Sequence, residues 1–320
     1  MKNYIFRKAG IVGAGVMGSG IAQVFAQEGF LVILNDLDED ILNKAKERIK
    51  TNLFLLHEEG MLSGERLKKA LQNLSFSSKL SRLKDVDIII EAIPEKIELK
   101  RALFQKLDEM FSSEVILATN TSGISISLIA SVTENPQRVI GMHWWNPPYI
   151  IPVVEVIKGE KTGTDIVEAV CQLVVKLNKK PVLVKKDIPG FLGNRMQYAL
   201  MREAVHLLEE NVASAEDIDT MVKAGFGFKF PVIGPLETID MAGMDIFYNV
   251  SKYLYKELDA SPQPQKLVED KVDREKLGMK SGEGFYSYKS IDSLKLNQER
   301  VKKYVRLLKE LGYCRQDKEV

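Results

Sequence analysis

KAGIVGAGVMGSGIAQVFAQEGFLVILND, residues 8–36, is the stretch that decides the fold. An apolar run, Ala9–Gly13, passes without a break into Gly13-Ala14-Gly15-Val16-Met17-Gly18. That turn opens a helical pattern ending near Glu28-Gly29, and a second apolar run, Leu31–Asp36, follows. Each glycine has its own physical use. Gly13 permits a tight turn, Gly15 lets a pyrophosphate reach backbone N–H groups, and Gly18 lets helix and strand pack closely. Val16 and Met17 then form the helix N-terminus facing that pyrophosphate. The second strand ends in Asp36, 18 residues beyond Gly18, where a carboxylate accepts hydrogen bonds from a ribose diol. The whole context predicts a dinucleotide site. Asp36, Asp38, Glu39 and Asp40 crowd the place of a 2′-phosphate, and like charges repel, so the expected cofactor is NAD rather than NADP.

Working outward, short β-branched runs alternate with helical patterns. Candidate strands are Asp87–Ile93, Val115–Thr119, Val139–His143, Val153–Ile157 and Val182–Lys185. Ile88–Ile90 is apolar on both faces, as in a sheet covered on both sides. The alternation predicts an α/β fold with a doubly wound, Rossmann-like sheet. Between Leu31–Asp36 and Asp87–Ile93 lie helical stretches at Glu39–Glu58 and Gly64–Leu74. They are too long for an ordinary crossover and are expected to project as a helical hairpin, about 39–74. Past Asp187-Ile188-Pro189-Gly190 the pattern turns helical, with Met196, Leu200, Ala204, Leu207 and Leu208 at helical spacing. Helices are expected at Ala215–Ala224 and Leu236–Leu258, and another over the last thirty residues, where Val301, Val305, Leu308 and Leu311 recur. The expected domains are 1–186, carrying the dinucleotide, and 187–320, all helical.

Composition narrows the function classes. The 320 residues suit about two domains of roughly 150 residues each. Lys+Arg 45 against Asp+Glu 44 leaves +1, without the basic field that nucleic-acid binding exploits. No apolar run approaches the ~20 residues of a membrane helix. The start, MKNYIFRKAGIVGAG, lacks the apolar core and small-residue cleavage site of a signal peptide. Cys171 and Cys314 are too few for a disulfide framework. With the three histidines scattered, no metal site is expected, and the expected compartment is the cytoplasm.

A nicotinamide enzyme oxidising an alcohol needs a base to take the hydroxyl proton as the hydride leaves. His57 and His206 lie in helical patterns beside charged residues and read as surface histidines. His143 ends a strand, in Gly141-Met142-His143-Trp144-Trp145-Asn146-Pro147-Pro148, and strand ends on one edge of such a sheet are where ligands bind. The bland alternative is a core histidine packed against tryptophans. Glu155, in Val153-Val154-Glu155-Val156-Ile157, shares a strand face with Val153 and Ile157. A carboxylate among apolar neighbours needs a partner, and an imidazole would supply one while gaining a fixed tautomer.

These residues bring a known family into view. The chain resembles the NAD-dependent 3-hydroxyacyl-CoA dehydrogenases, 3-hydroxybutyryl-CoA type included, over nearly its whole length. The matching motifs are GAGVMG at 13–18, Glu95…Lys100, Asn120-Thr121-Ser122, HWWNPP followed by VEV, Asp187-x-Pro-Gly-Phe-x-x-Asn-Arg195, and Lys280-Ser-Gly-Glu-Gly-Phe285. The resemblance implies a Rossmann-like domain with a projecting hairpin, then a helical dimerisation domain, hence a homodimer. It implies His143 as catalytic base, Glu155 as its orienting partner, and Ser122 and Asn194 around the substrate hydroxyl and carbonyl. Glu95, Lys100, Asn120, Ser122, Asn146 and Lys280 match cofactor contacts. Without the family, Glu95 and Lys100 read equally as an i,i+5 surface pair, Ser122 as a turn residue and Asn194 as a cap. The chain departs from the family pattern in carrying Trp-Trp-Asn-Pro-Pro after His143 and Gly123 after Ser122. Glu59 stands where members that bind CoA carry a lysine. The implied activity is oxidation of a short-chain L-3-hydroxyacyl-CoA. The alternatives are a small free hydroxy acid of the L-gulonate or carnitine kind, and a crystallin-like structural protein without turnover.

Overall fold

The computed structural model describes residues 4–313; Cys314 lies outside them. Two compact units emerge. One holds the described residues up to Asn194 together with those from Val301 onward, and the other holds Arg195–Arg300.

The first unit opens with β1 (Lys8–Val12), α1 (Val16–Gln27) and β2 (Leu31–Asn35). The helical hairpin follows as α2 (Glu39–Glu58) and α3 (Gly64–Gln72), then β3 (Leu74–Ser77). Next come β4 (Ile88–Glu91), α4 (Ile97–Met110), β5 (Ile116–Thr119) and α5 (Ile126–Ala130). β6 (Val139–Trp144), β7 (Val153–Ile157), α6 (Thr164–Lys176) and β8 (Lys180–Val184) complete it. The sheet order is β3-β2-β1-β4-β5-β6-β7-β8. Neighbours run parallel except β6 and β7, which are antiparallel.

Alternation along each strand feeds two cores. Ile88 and Ile90 belong to one apolar cluster and Ile89 to the other, all three with no exposed surface. This is the doubly wound α/β sheet expected, covered on both faces. β3 was not expected. At the sheet edge Ser75 is exposed and its other three residues are only partly buried, so no continuous apolar run announces it.

The hairpin has one face inside the larger cluster, with Leu42, Ala45, Ile49, Leu53 and Leu56 buried along α2. Asp38 caps α2 by accepting from the N–H groups of Asp40 and Ile41.

The second unit contains most of α7 (Gly193–Glu209), then α8 (Ala215–Ala224), α9 (Pro235–Ala242), α10 (Met244–Leu254) and α11 (Lys266–Asp273). The single helix expected over Leu236–Leu258 is two, because Gly243 takes φ +102 between them, a conformation open to glycine. Among its described residues none is buried.

The last helix, α12 (Ser293–Glu310), corrects the expected boundary. The sequence places it with the helical domain, and its residues from Val301 instead return to the first unit. Val301, Val305 and Leu308 lie in the same apolar cluster as Leu53, Leu56 and Leu62. Helical spacing discloses an apolar stripe but not which surface covers it. The division at Asn194 also falls eight residues past the expected 186.

Candidate active site

The glycine turn is built as its spacing requires. A Cβ at Gly18 would lie 1.8 Å from the Gly13 carbonyl oxygen, and one at Gly13 would lie 2.5 Å from that of Ala92. Gly13 also holds φ +100. Gly15 differs, because a Cβ there meets nothing within 4 Å. The protein does not need glycine at that point; an approaching ligand does. Gly15 is the N-cap of α1 and no side chain caps the helix, which leaves N–H donors for an anion. Asp36 accepts from the Ala14 N–H at 2.7 Å and from the Asp38 N–H at 3.2 Å. It therefore braces the turn, with acceptor capacity left on both oxygens. A cleft of about 700 Å³ runs over Gly13, Gly15, Val16, Met17, Asp36, Leu37 and Ile93. Its size and mostly apolar lining suit an adenosine moiety, so these residues fit the dinucleotide.

At the far end of β6, His143 stands in register opposite Glu155 of β7. Both are buried, at 4% and 2% exposure, and His143 Nδ1 lies 2.6 Å from Glu155 Oε2. A carboxylate can only accept, so Nδ1 carries the hydrogen, and in the neutral imidazole Nε2 is the acceptor. Trp145 and Phe191 flank the imidazole, with ring centroids 5.3 and 5.8 Å away. Glu155 Oε1 accepts from the N–H groups of Leu192 (3.0 Å) and Gly193 (2.9 Å), where α7 begins. Burial pushes the Glu155 pKa up, but the bonds from His143, Gly193 and Leu192 outweigh it and hold the carboxyl below its usual value.

The neighbouring loop carries Ser122 and Asn120. Asn120 Oδ1 accepts from the Trp144 N–H at 2.9 Å, which ties this loop to the His143 strand. Asn194 Nδ2 donates to the Ser122 carbonyl at 2.8 Å. Glu95 Oε1 takes the Thr121 hydroxyl (2.5 Å) and the N–H groups of Ser122 (2.8 Å) and Gly123 (3.3 Å). Burial raises the Glu95 pKa, and Thr121, Lys100 and Ser122 together bring it below the ordinary value. Glu95 and Lys100 do pair, at 3.2 Å, yet not as a surface pair: Lys100 is 1% exposed. Asn146 is exposed beside Trp145, before a cis bond to Pro147. Lys280 belongs to the second unit and is exposed there.

The sequence reading missed two contributors. The Leu192 and Gly193 N–H groups escape it because backbone donors leave no residue signature. Gly193 itself held a clue, since a Cβ there would meet Trp145 Cζ2 at 2.3 Å. The other is Glu91, which ends β4 and is wholly buried.

Two family descriptions match the chain: "3-hydroxyacyl-CoA dehydrogenase, NAD binding domain" over residues 8–188, and "3-hydroxyacyl-CoA dehydrogenase, C-terminal domain" over 190–288. The chain belongs to the 3-hydroxyacyl-CoA dehydrogenase family. It is an NAD-dependent oxidoreductase, and the NAD expectation stands. Among family members, a 3-hydroxybutyryl-CoA dehydrogenase of Bradyrhizobium diazoefficiens is 37% identical, over 89% of this chain and 96% of its own. A 5-formyl-3-hydroxy-2-methylpyridine 4-carboxylate 5-dehydrogenase of Mesorhizobium japonicum is 36% identical, over 94% and 97%. A crystal structure of an enzyme of that second name superposes with a TM-score of 0.90, covering 96% of this chain and 99% of the other at 36% identity. The (S)-3-hydroxybutyryl-CoA dehydrogenase structure from Ralstonia eutropha gives 0.74, covering 89% and 99% at 37% identity. Among the described residues no helix is long and apolar enough to cross a membrane.

Proposed function

We propose that the protein oxidises the hydroxyl of a short-chain L-3-hydroxyacyl-CoA to the 3-oxo compound. The observation that carries this is the buried His143–Glu155 pair, 2.6 Å apart, on a chain of this family. His143 Nε2 takes the hydroxyl proton as the carbinol C–H bond gives up its hydride and the C=O bond forms. NAD, when bound, supplies the hydride acceptor; Gly13, Gly15, Gly18 and Asp36 would hold it, with Glu95, Lys100, Asn120 and Asn146 as further contacts by family resemblance. Glu155 stabilises the imidazolium formed, and the two N–H groups at the start of α7 keep that carboxylate in place. Ser122 and Asn194 are assigned to the substrate hydroxyl and carbonyl.

A specific observation favours a second reading, a small free hydroxy acid. At the hairpin tip, where CoA-binding members carry a lysine, Glu59 pairs with Lys302 at 3.4 Å. The Lys309 amine also donates to the Glu59 carbonyl. The tip is thus occupied by this chain's own α12. The 0.90 superposition on a dehydrogenase of a pyridine carboxylate, a free acid, points the same way. NADH formation across a panel of 3-hydroxyacyl-CoA thioesters and free hydroxy acids separates the two. On the better substrate His143→Ala should lower kcat by about 10²–10⁴, with NAD affinity held. Activity within a few-fold of the parent would remove His143 from the mechanism.

We also propose a homodimer formed through the second unit. Phe228 (74% exposed), Leu236 (75%) and Met241 (75%) are among many large apolar side chains left uncovered there. A second copy is the occupant that the family architecture implies, and such an area of apolar surface is costly in water.

A further inference from the structure

We propose that Glu91 is a positioning residue of the reaction site, acting through Lys100 and Glu95 on the loop that carries Ser122. It rests on the assignment of Ser122 and Asn194 to the substrate.

Glu91 ends β4 between two neighbours, in register with Val12 of β1 and Thr119 of β5. It therefore sits beneath the strand ends from which the glycine turn and the Asn120–Gly123 loop depart. Its side chain has no exposed surface, and an acid in such a place must be fully partnered. It is. Oε1 accepts from the Lys100 amine at 2.6 Å and from the Ile93 N–H at 2.7 Å. Oε2 accepts from the Thr119 hydroxyl at 2.6 Å. Donors thus face both oxygens, the environment of a carboxylate.

The chain of contacts then runs outward. Lys100 Nζ, fixed by Glu91, also reaches Glu95 Oε2 at 3.2 Å. Glu95, held at that oxygen, uses the other to gather Thr121, Ser122 and Gly123. The Ser122 carbonyl in turn takes the Asn194 amide. One buried ammonium is shared by two carboxylates of different surroundings, since Glu95 is 43% exposed and Glu91 is not exposed at all. The buried member therefore decides where the ammonium sits. Without its charge, Lys100 keeps Glu95 as its one charged partner, beside the neutral Ile93 carbonyl at 3.4 Å, and is drawn toward solvent. Glu95 and the three groups it binds then lose their fixed point. Misplacement of a reacting group by about 1 Å costs up to about a hundredfold in rate.

Substitution separates charge from packing. Glu91→Gln keeps the size and removes the charge; Glu91→Asp keeps the charge and shortens the side chain. Turnover is measured per NADH-binding site, counted by fluorescence titration, so that misfolded protein does not enter. Glu91→Gln should lower this kcat by about tenfold to a hundredfold, and Glu91→Asp should retain more of it than Gln does. The reverse order, or an unchanged kcat per site in Glu91→Gln, overturns the proposal. If Glu91→Gln yields no folded protein, Thr119→Val decides. It removes one anchor of Glu91 and should lower kcat per site several-fold; no change overturns the proposal. Ser122→Ala is run beside them. If it too leaves turnover intact, the assignment of Ser122 fails; if it lowers turnover while the Glu91 series does not, this inference alone fails.

Discussion

The two units of this chain put their apolar side chains to different use. In the first, Ile88, Ile89 and Ile90 have no accessible surface at all, and two clusters fill both sides of the sheet. In the second, no described residue is buried, although helices α7, α8, α10 and α11 each carry an apolar stripe. Sequence composition does not distinguish them in this respect; what differs is what faces the stripes. A parallel sheet offers two wide apolar surfaces to the helices of the same chain. A few short helices of about a hundred residues offer no such surface, and small domains of that kind hide a smaller share of their area. The first unit therefore covers its own apolar side chains, while the second leaves its apolar stripes in the open, the surface the proposed homodimer would use.

The largest effect expected from this contrast is loss of fold. Residues 195–300 expressed alone at low concentration should show no cooperative melting by circular dichroism, and in the whole protein the transition of this unit should rise with protein concentration. A monomeric fragment with a sharp transition would show that its core is its own.

Next in size is an effect confined to the first unit. Glu155→Gln should lower kcat by about tenfold to a hundredfold, because a neutral amide stabilises an imidazolium less well. It should also flatten part of the acid limb of stability. Glu155, Glu95 and Asp108 all sit below the usual carboxylate range in the fold, Asp108 because bonds from Arg138 and the Glu134 N–H outweigh its burial. Such groups stabilise fully above their unfolded values, and the contribution is lost as pH falls through the lower folded values. Melting temperature measured from pH 6 down to pH 3 should fall, and less steeply in Glu155→Gln. An identical slope in both would separate Glu155 from acid stability.

Val305 tests the return of α12, since it has no exposed surface in the first unit's core. Val305→Ala should cost about 1–3 kcal/mol, read as a drop in melting temperature that does not depend on protein concentration. A drop that grows on dilution would place this residue at a contact between copies instead.

Glu59→Lys should be the smallest. A partly exposed pair such as Glu59–Lys302 contributes at most about 1 kcal/mol, so the melting temperature should scarcely move. The informative readout is acetoacetyl-CoA reduction. If the thioester is the substrate, its KM should fall and rise more steeply with salt; if free acids are, turnover of the preferred acid should be untouched.

Much of this was legible in the residues. The glycine turn, Asp36, and the pairing of His143 with Glu155 follow from local chemistry: tight turns need glycine, and an acid on an apolar strand face needs a partner. The rest depends on long-range choices. β3 carries too few apolar residues to declare itself. α12 shows its stripe, yet not that the stripe lands on the first unit. Glu91 closes an isoleucine run and reads as the polar end of a strand until Lys100 is seen beneath it, nine positions later in the chain and 2.6 Å away. Lys100 itself looks like a helix-surface lysine until its burial is known.

The single antiparallel step in the sheet, between β6 and β7, carries a consequence for how this reaction site tolerates change. His143 and Glu155 face each other because two strands meet head to tail at one register. Side chains alternate with a period of two, so inserting or deleting one residue inside either strand would turn that strand's own member of the pair to the opposite face. The connection from residue 145 to 152 has no such phase to keep. Length variation is therefore forbidden within the strands and open between them beyond Trp145, which flanks His143, and Asn146, so a designer can rebuild the later part of that connection while the His143–Glu155 pair stays where it is.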